Sequence, residues 1–368
     1  MTDQLTSDEP CGALELVCAF TGAMPTGVGV SRRGRIFVTF PKWGDEVGAT
    51  VVELRDGTCQ PYPDQAWNDP SGNDDAESFV SVQSVVVDPS DRLWVVDTGS
   101  PMLQPTRPGG PKLVCVDLDT DRVTQTILFP AEVALPTSYL NDVRFDLRRR
   151  SAGVAFVTDS TNSGPNGIIV VDLASGTSWR RLHDHPSTKA ESLVDFRPLV
   201  EGRPFLMRPP DAPPSPVSFG SDGIAISADG SRLYYCPLMS RRLYSVDIDA
   251  LVDRSMDDAE VAATVCDEGD KGSGADGLET DDAGRIYVTA YEQNAILRRN
   301  PDGAYETVVR DPRLLWPDTM SIGADRYLYV TANQLHRQPD YSGGIDRRRR
   351  PYALFRFAID AGPVSLVP

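Results

Sequence analysis

The chain is short of positive charge, of histidine and of long apolar runs, and it lacks several common catalytic signatures. Lysine and arginine number 36 against 53 aspartates and glutamates, a formal net charge of −17. That balance argues against nucleic acid, because phosphate binding needs concentrated cations. No run of eighteen apolar residues occurs, so no helical membrane span is expected. The first residues, Met1 to Cys11, carry early acids and no apolar stretch of signal-peptide length, so a cytoplasmic location is expected. The cysteines at 11, 18, 59, 115, 236 and 266 show no CxxC spacing, which leaves a finger-type zinc site unsupported and a reducing compartment the default. There is no GxSxG elbow, no P-loop and no GxGxxG after a strand, so serine acyl transfer, nucleotide hydrolysis and Rossmann redox chemistry lack support.

What the chain does have is a repeat. Its clearest copy runs from Asp276-Gly277 through an apolar segment and a turn in Asp281-Asp-Ala-Gly284 to the strand Arg285-Ile-Tyr-Val-Thr289. Asp and Gly supply the turn chemistry, Gly by tolerating positive φ and Asp by bonding backbone two residues on. Looser copies open at Thr26-Gly27, Gln83-Ser84, Asn141-Asp142, Asp222-Gly223 and Asp318-Thr319. They lie roughly 40 to 60 residues apart, with one longer gap before Asp222, and units of that length opening with two strands are blades of a β-propeller. The expected fold is all-β, a six-bladed β-propeller occupying residues 14–368 as one domain, after a flexible segment at residues 1–13. Strands Leu14–Phe20 and Tyr352–Ile359 should pair and close the ring from both termini, within the blade that also holds the Asp318 repeat. The proline-dense stretch Pro198 to Pro216 accounts for the long interval. A single helical turn is expected at 250–254.

In a propeller the innermost strand of each blade follows the channel, so a residue repeated just before it appears once per blade around one mouth. Thr26, Gln83, Asn141, Asp222, Asp276 and Asp318 are placed there. Acids converging on one axis repel, which raises their pKa values or demands a cation. Calcium or another divalent ion is possible, with Asn141 and Asp222 as ligands, as is a ligand amine; equally, these pairs can serve only to build their loops. The other ends of the strand pairs carry Trp43, Asp97, Asp159, Met239, Tyr291 and Asn333. Trp43 and Tyr291 could stack a flat ligand, and Asp97 and Asp159 could hold a cation or accept a proton, with blade packing and turn capping as the alternatives. Of the three histidines, His183 and His185 fall on an outer loop, and His336 is the general-base candidate. The expected proton-transfer set is therefore Asp222, Asp276, Asp159 and His336. Five long connections, 62–79, 99–110, 187–221, 267–275 and 335–350, are candidates for lids over the mouth. The basic runs Arg148 to Arg150 and Arg347 to Arg350 read as solvated loops or as an anion or partner site.

The wording of the repeats is more specific than their period. Tyr139-Leu-Asn-Asp-Val-Arg144, Ala155-Phe-Val-Thr-Asp-Ser160, Ser221-Asp-Gly-Ile-Ala-Ile226, Leu233-Tyr-Tyr-Cys-Pro-Leu238 and Trp316-Pro-Asp-Thr319 with Ala332-Asn-Gln-Leu335 together resemble the yellow/major royal jelly protein family, bacterial branch. The resemblance covers residues 26 to 357. It implies a six-bladed propeller with a ligand pocket at one mouth, on Asn141, Asp222, Asp276 and Asp318. Insect members of that family include secreted binders of small amines and enzymes that isomerise or decarboxylate dopachrome. A weaker likeness to gluconolactonase and senescence-marker propellers implies a divalent metal beside a first-blade glutamate, where this chain has Thr26. The function expected is a small-molecule enzyme, an isomerase, cyclase or lyase on a polar aromatic or cyclic substrate. The alternatives are a non-catalytic binder of a small amine or aromatic ligand and a metal-dependent lactonase-like hydrolase. The partner is then a small molecule rather than nucleic acid or a membrane, with the oligomeric state open.

Overall fold

Each repeat forms one antiparallel four-stranded sheet, and the turn chemistry explains why. In the clearest copy the Asp281 carboxylate accepts the backbone N–H of Ala283 and Arg285 at 3.0 and 2.9 Å, and Gly284 takes φ +77°. Asp88 plays the same part in an earlier repeat, accepting from Ser90 and Arg92. The computed structural model describes residues 9–69, 71, 74–192 and 196–368. Residues 1–8, most of the segment expected to be flexible, lie outside the described residues, as do small parts of the 62–79 and 187–221 connections. Cys11, within that segment, bonds through both its backbone N–H and C=O to Arg310.

Six such sheets make the ring. Their inner strands, in order, are Val28–Val30, Val82–Val87, Leu140–Asp146, Ser221–Ile226, Ala275–Thr280 and Pro317–Ile322, each leading its own sheet. The sixth sheet is ordered Pro317–Ile322, Tyr327–Ala332, Tyr352–Ala358 and, outermost, Glu15–Phe20. The two ends of the chain therefore close the ring as expected, in register Glu15 with Arg356 and Phe20 with Tyr352. Core side chains lie between blades. Trp94 of the second blade meets Phe145 of the third, ring centroids 5.3 Å apart, within one cluster that includes Val96, Leu113, Val143 and Ala155.

Five of the six marker pairs, all but Thr26-Gly27, sit at β-bulges. Register shifts fall between Val82 and Ser84, Leu140 and Val143, Ser221 and Ile224, Ala275 and Leu278, and Pro317 and Met320. A bulge re-aims the side chain it carries, and here it does so once in each of five blades. Glycine follows the acid because the neighbouring blade crowds in: a Cβ on Gly223 would stand 2.4 Å from the Asp276 carbonyl, and one on Gly277 would stand 2.4 Å from that of Asp318. The threonine that closes the repeat ties adjacent blades together. Thr39 donates to the Gln83 carbonyl at 2.7 Å, Thr158 to that of Asp222 at 2.8 Å and Thr331 to that of Thr26 at 2.5 Å.

At the other end of the channel the buried Arg144 guanidinium leans across from the third blade to the Leu278 carbonyl of the fifth at 2.7 Å, and pairs with Asp142 at 2.8 Å and Glu279 at 3.3 Å. Two expectations need correction. The stretch 267–275 is not a lid, because Cys266–Asp270 is the fourth strand of the fourth blade. The turn expected at 250–254 is a helix over Ile248–Val252, followed by a second, Asp258–Ala262, opened by a reciprocal capping box between Asp257 and Glu260. The long fourth interval holds two small ribbons, Leu199–Val200 with Arg203–Pro204 and Leu206–Met207 with Ser215–Pro216. Among the described residues no helix is long and apolar enough to cross a membrane.

Candidate functional site

The bulges aim Gln83, Asn141, Asp222, Asp276 and Asp318 into a cavity of about 60 Å³ at one mouth of the ring. That volume holds a few waters or a small polar head group. Trp43 and Tyr139 form its aromatic side, and the segments around Met102 and Leu103 and around Leu335 to Tyr341 cover it, so parts of the 99–110 and 335–350 connections do lie over the mouth. Thr26 does not line the cavity; its hydroxyl is turned aside to Thr39 and the Gln83 carbonyl.

Three carboxylates in this cavity are buried with no lysine or arginine among its lining residues. Burial and mutual repulsion push Asp222, Asp276 and Asp318 well above the ordinary carboxylate range. Asp222 and Asp276 are within hydrogen-bonding reach of each other, a contact that requires a proton on one of them. Donors fix the rest: Trp316 Nε1 to Asp276 Oδ2 at 2.7 Å, Asn333 Nδ2 to Asp318 Oδ2 at 2.6 Å and the Thr319 hydroxyl to Asp318 Oδ1 at 3.0 Å. Asn141 supports Asp222 and lies 3.3 Å from the Ser160 hydroxyl. Tyr139 donates to Gln83 Oε1 at 2.9 Å; with its carbonyl occupied, Gln83 has its amide N–H groups left for a ligand. Burial holds the Tyr139 phenol neutral. Trp43 Nε1 is also buried, beside the Tyr139 hydroxyl.

The other expected site residues are placed elsewhere. Asp97 is an anchor: it pairs with the fully buried Lys112 at 2.8 Å and accepts the N–H of Val80 and Ser81. Asp159 does the same one blade on, pairing with Arg180 at 2.8 Å and accepting from Tyr139 N–H and the Ser138 hydroxyl. Both hold the loop entering an inner strand, and neither reaches the cavity. Met239 is buried in a core cluster beside the cavity-lining Leu238. Tyr291 stacks on Trp316 with centroids 4.3 Å apart and donates to the Leu238 carbonyl, and Asn333 backs Asp318; these two sit behind the axial acids. His336 faces outward from the cavity, 2.9 Å from Glu201 and stacked on the far side of Trp316 at 5.8 Å. Burial lowers its pKa, with Glu201 opposing.

Tyr139 and Ser160 were not expected at the site. Both flank repeated positions, Tyr139 two residues before Asn141 and Ser160 directly after Asp159, so their signal was proximity to a marker. Asn141 and Asp222, the expected metal ligands, both line the cavity, and among the described residues no group of three or more Asp, Glu, His or Cys is placed to hold a metal ion.

Comparison with known proteins places these features. The family model described as major royal jelly protein matches residues 80–352. Major royal jelly protein 7 of Apis mellifera is 28% identical over 225 residues, covering 58% of this chain and 46% of that protein. Protein yellow of Drosophila subobscura is 29% identical over 341 residues, covering 86% and 56%. The chain thus spans about half the length of the curated relatives it matches. Among solved structures, a calcium-binding protein, regucalcin, from Agrobacterium tumefaciens superposes with a TM-score of 0.58 at 13% identity over 95% of both chains, a likeness of fold.

Proposed function

Since the chain belongs to the major royal jelly protein family, we propose that the axial cavity is the active site of an isomerase, cyclase or lyase that moves a proton on a polar aromatic or cyclic substrate. The observation that carries this reading is the Asp222–Asp276 pair, two buried carboxylates lining one cavity, where burial and mutual repulsion favour holding a proton. Such a pair offers a base and an acid at once. The ionised partner takes a proton from the substrate, and the protonated partner returns one to an atom where negative charge develops. The amide of Gln83 and the indole of Trp43, both of which line the cavity, stabilise that charge. The cover formed by Met102, Leu103, Leu335 and Tyr341 excludes water once the reacting group is seated.

A second reading, a non-catalytic binder of a small amine, is favoured by one specific observation: four acids line the cavity, Asp222, Asp276, Asp318 and the exposed Asp340, and no lysine or arginine does. An ammonium group would satisfy them directly. Titration of the protein with arylalkylamines, beside a spectrophotometric assay of dopachrome loss, separates the two. The enzyme reading expects turnover that vanishes in Asp222→Asn and Asp276→Asn while affinity survives. Amine binding without turnover, lost in the same variants, would establish the binder instead.

A further inference from the structure

The family's axial cavity leaves a larger feature unexplained. Beside it, the insertion at 196–216 and the connection at 335–350 wall a groove of about 980 Å³. The two segments are clasped by backbone bonds, Arg208 N–H to the Asp340 carbonyl at 2.7 Å and Gly343 N–H to that of Arg208 at 2.9 Å. Glu201 joins them again by accepting from both His336 and Arg337. In a chain of net charge −17, this groove presents Arg203, Arg208, Arg337, Arg347, Arg348 and Arg349 against only two carboxylates, Glu201 and Asp346.

The two carboxylates are already spent. Arg337 holds Glu201, and Arg348 holds Asp346 together with Asp45. The side chains of Arg203, Arg347 and Arg349 are exposed and have no carboxylate partner among the described residues, and Arg208 reaches only the Pro204 carbonyl at 3.2 Å. Their backbone is nevertheless fixed: the Gln334 side chain bonds both the N–H and the C=O of Arg349, and Arg347 N–H bonds the Arg337 carbonyl. Like charges held this close repel unless an anion joins them, and guanidinium forks match phosphate and carboxylate oxygens. Buried Phe205 and Tyr341, centroids 4.5 Å apart, supply an apolar floor.

We propose that this groove is a second binding site, separate from the axial cavity, for a small polyvalent anion carrying phosphate or several carboxylates. A long nucleic acid is disfavoured because the basic surface is confined to one groove of a strongly acidic protein. The test is calorimetric titration of the full chain with pyrophosphate and, separately, with citrate, both at constant ionic strength set with sodium chloride. Saturable binding of either is expected, pyrophosphate alone assigning a phosphate ligand and citrate alone a polycarboxylate. The variant Arg203→Gln/Arg347→Gln/Arg349→Gln, whose changes lie at exposed positions, should keep the wild-type melting temperature without ligand and lose about tenfold or more in affinity. No saturable binding of either anion, equal binding by the triple variant, or displacement of bound pyrophosphate by a single-stranded oligonucleotide at lower concentration would overturn the proposal.

Discussion

Replacing Asp276 by asparagine should stabilise the protein at neutral pH while removing its activity. The asparagine carbonyl can still accept from Trp316, now 2.7 Å from Asp276 Oδ2, and its amide can donate to Asp222, so the hydrogen bonds survive without a carboxylate having to keep a proton that the unfolded chain releases. Coupled groups in contact interact by about 0.5–3 kcal/mol. In a chain of 368 residues that corresponds to a rise of about 1–4 °C in melting temperature. The pH dependence identifies the cause. Because burial raises the Asp276 pKa in the folded state, the native protein binds more protons than the unfolded chain. The stability this contributes is fully present below the unfolded carboxylate value and is lost as pH rises through the folded one. The gap between variant and wild type should therefore be small near pH 4.5 and widest near pH 8, read by thermal melts across that range. A variant less stable than wild type at pH 8, or a gap that does not change with pH, would refute the account of a strained axial acid cluster.

Other perturbations test the scaffold and its coupling to the site. Lys112→Met strands Asp97 as a lone buried charge and should cost about 3–5 kcal/mol in urea denaturation, with much of the loss recovered when Asp97→Asn is added. Gly277→Ala drives a Cβ to within 2.4 Å of the Asp318 carbonyl and should destabilise by about 1–3 kcal/mol, more than alanine at the unobstructed Gly48. Trp316→Phe removes the indole donor that favours ionised Asp276, so the acidic limb of the activity profile should move up by roughly one to two pH units.

The ring was readable because its period is written in local chemistry: Asp and Gly at each turn and bulge, alternating β-branched residues between them. The same periodicity exposed Gln83, Asn141, Asp222, Asp276 and Asp318, since a residue repeated at one point of every blade must recur around one axis. Asp97 and Asp159 occupy repeated positions too, and nothing local sets them apart from the axial acids. Their anchoring role comes from partners in other strands, Lys112 directly opposite Asp97 in the sheet register and Arg180 two strands away from Asp159. The placement of His336 is hidden from the sequence for a similar reason. Its neighbour Glu201 lies in the proline-dense insertion of a different blade, a contact no sequence period encodes. The helix at Asp258–Ala262 did have a local signature, Asp257 followed by Glu260, but only five residues of helix follow it.

The seam between Glu15–Phe20 and Tyr352–Ala358 dictates a timetable. Five sheets each draw their strands from one continuous stretch, whereas the sixth must join strands more than three hundred residues apart. The local sheets can therefore assemble while this one still offers an unpaired edge to any passing strand.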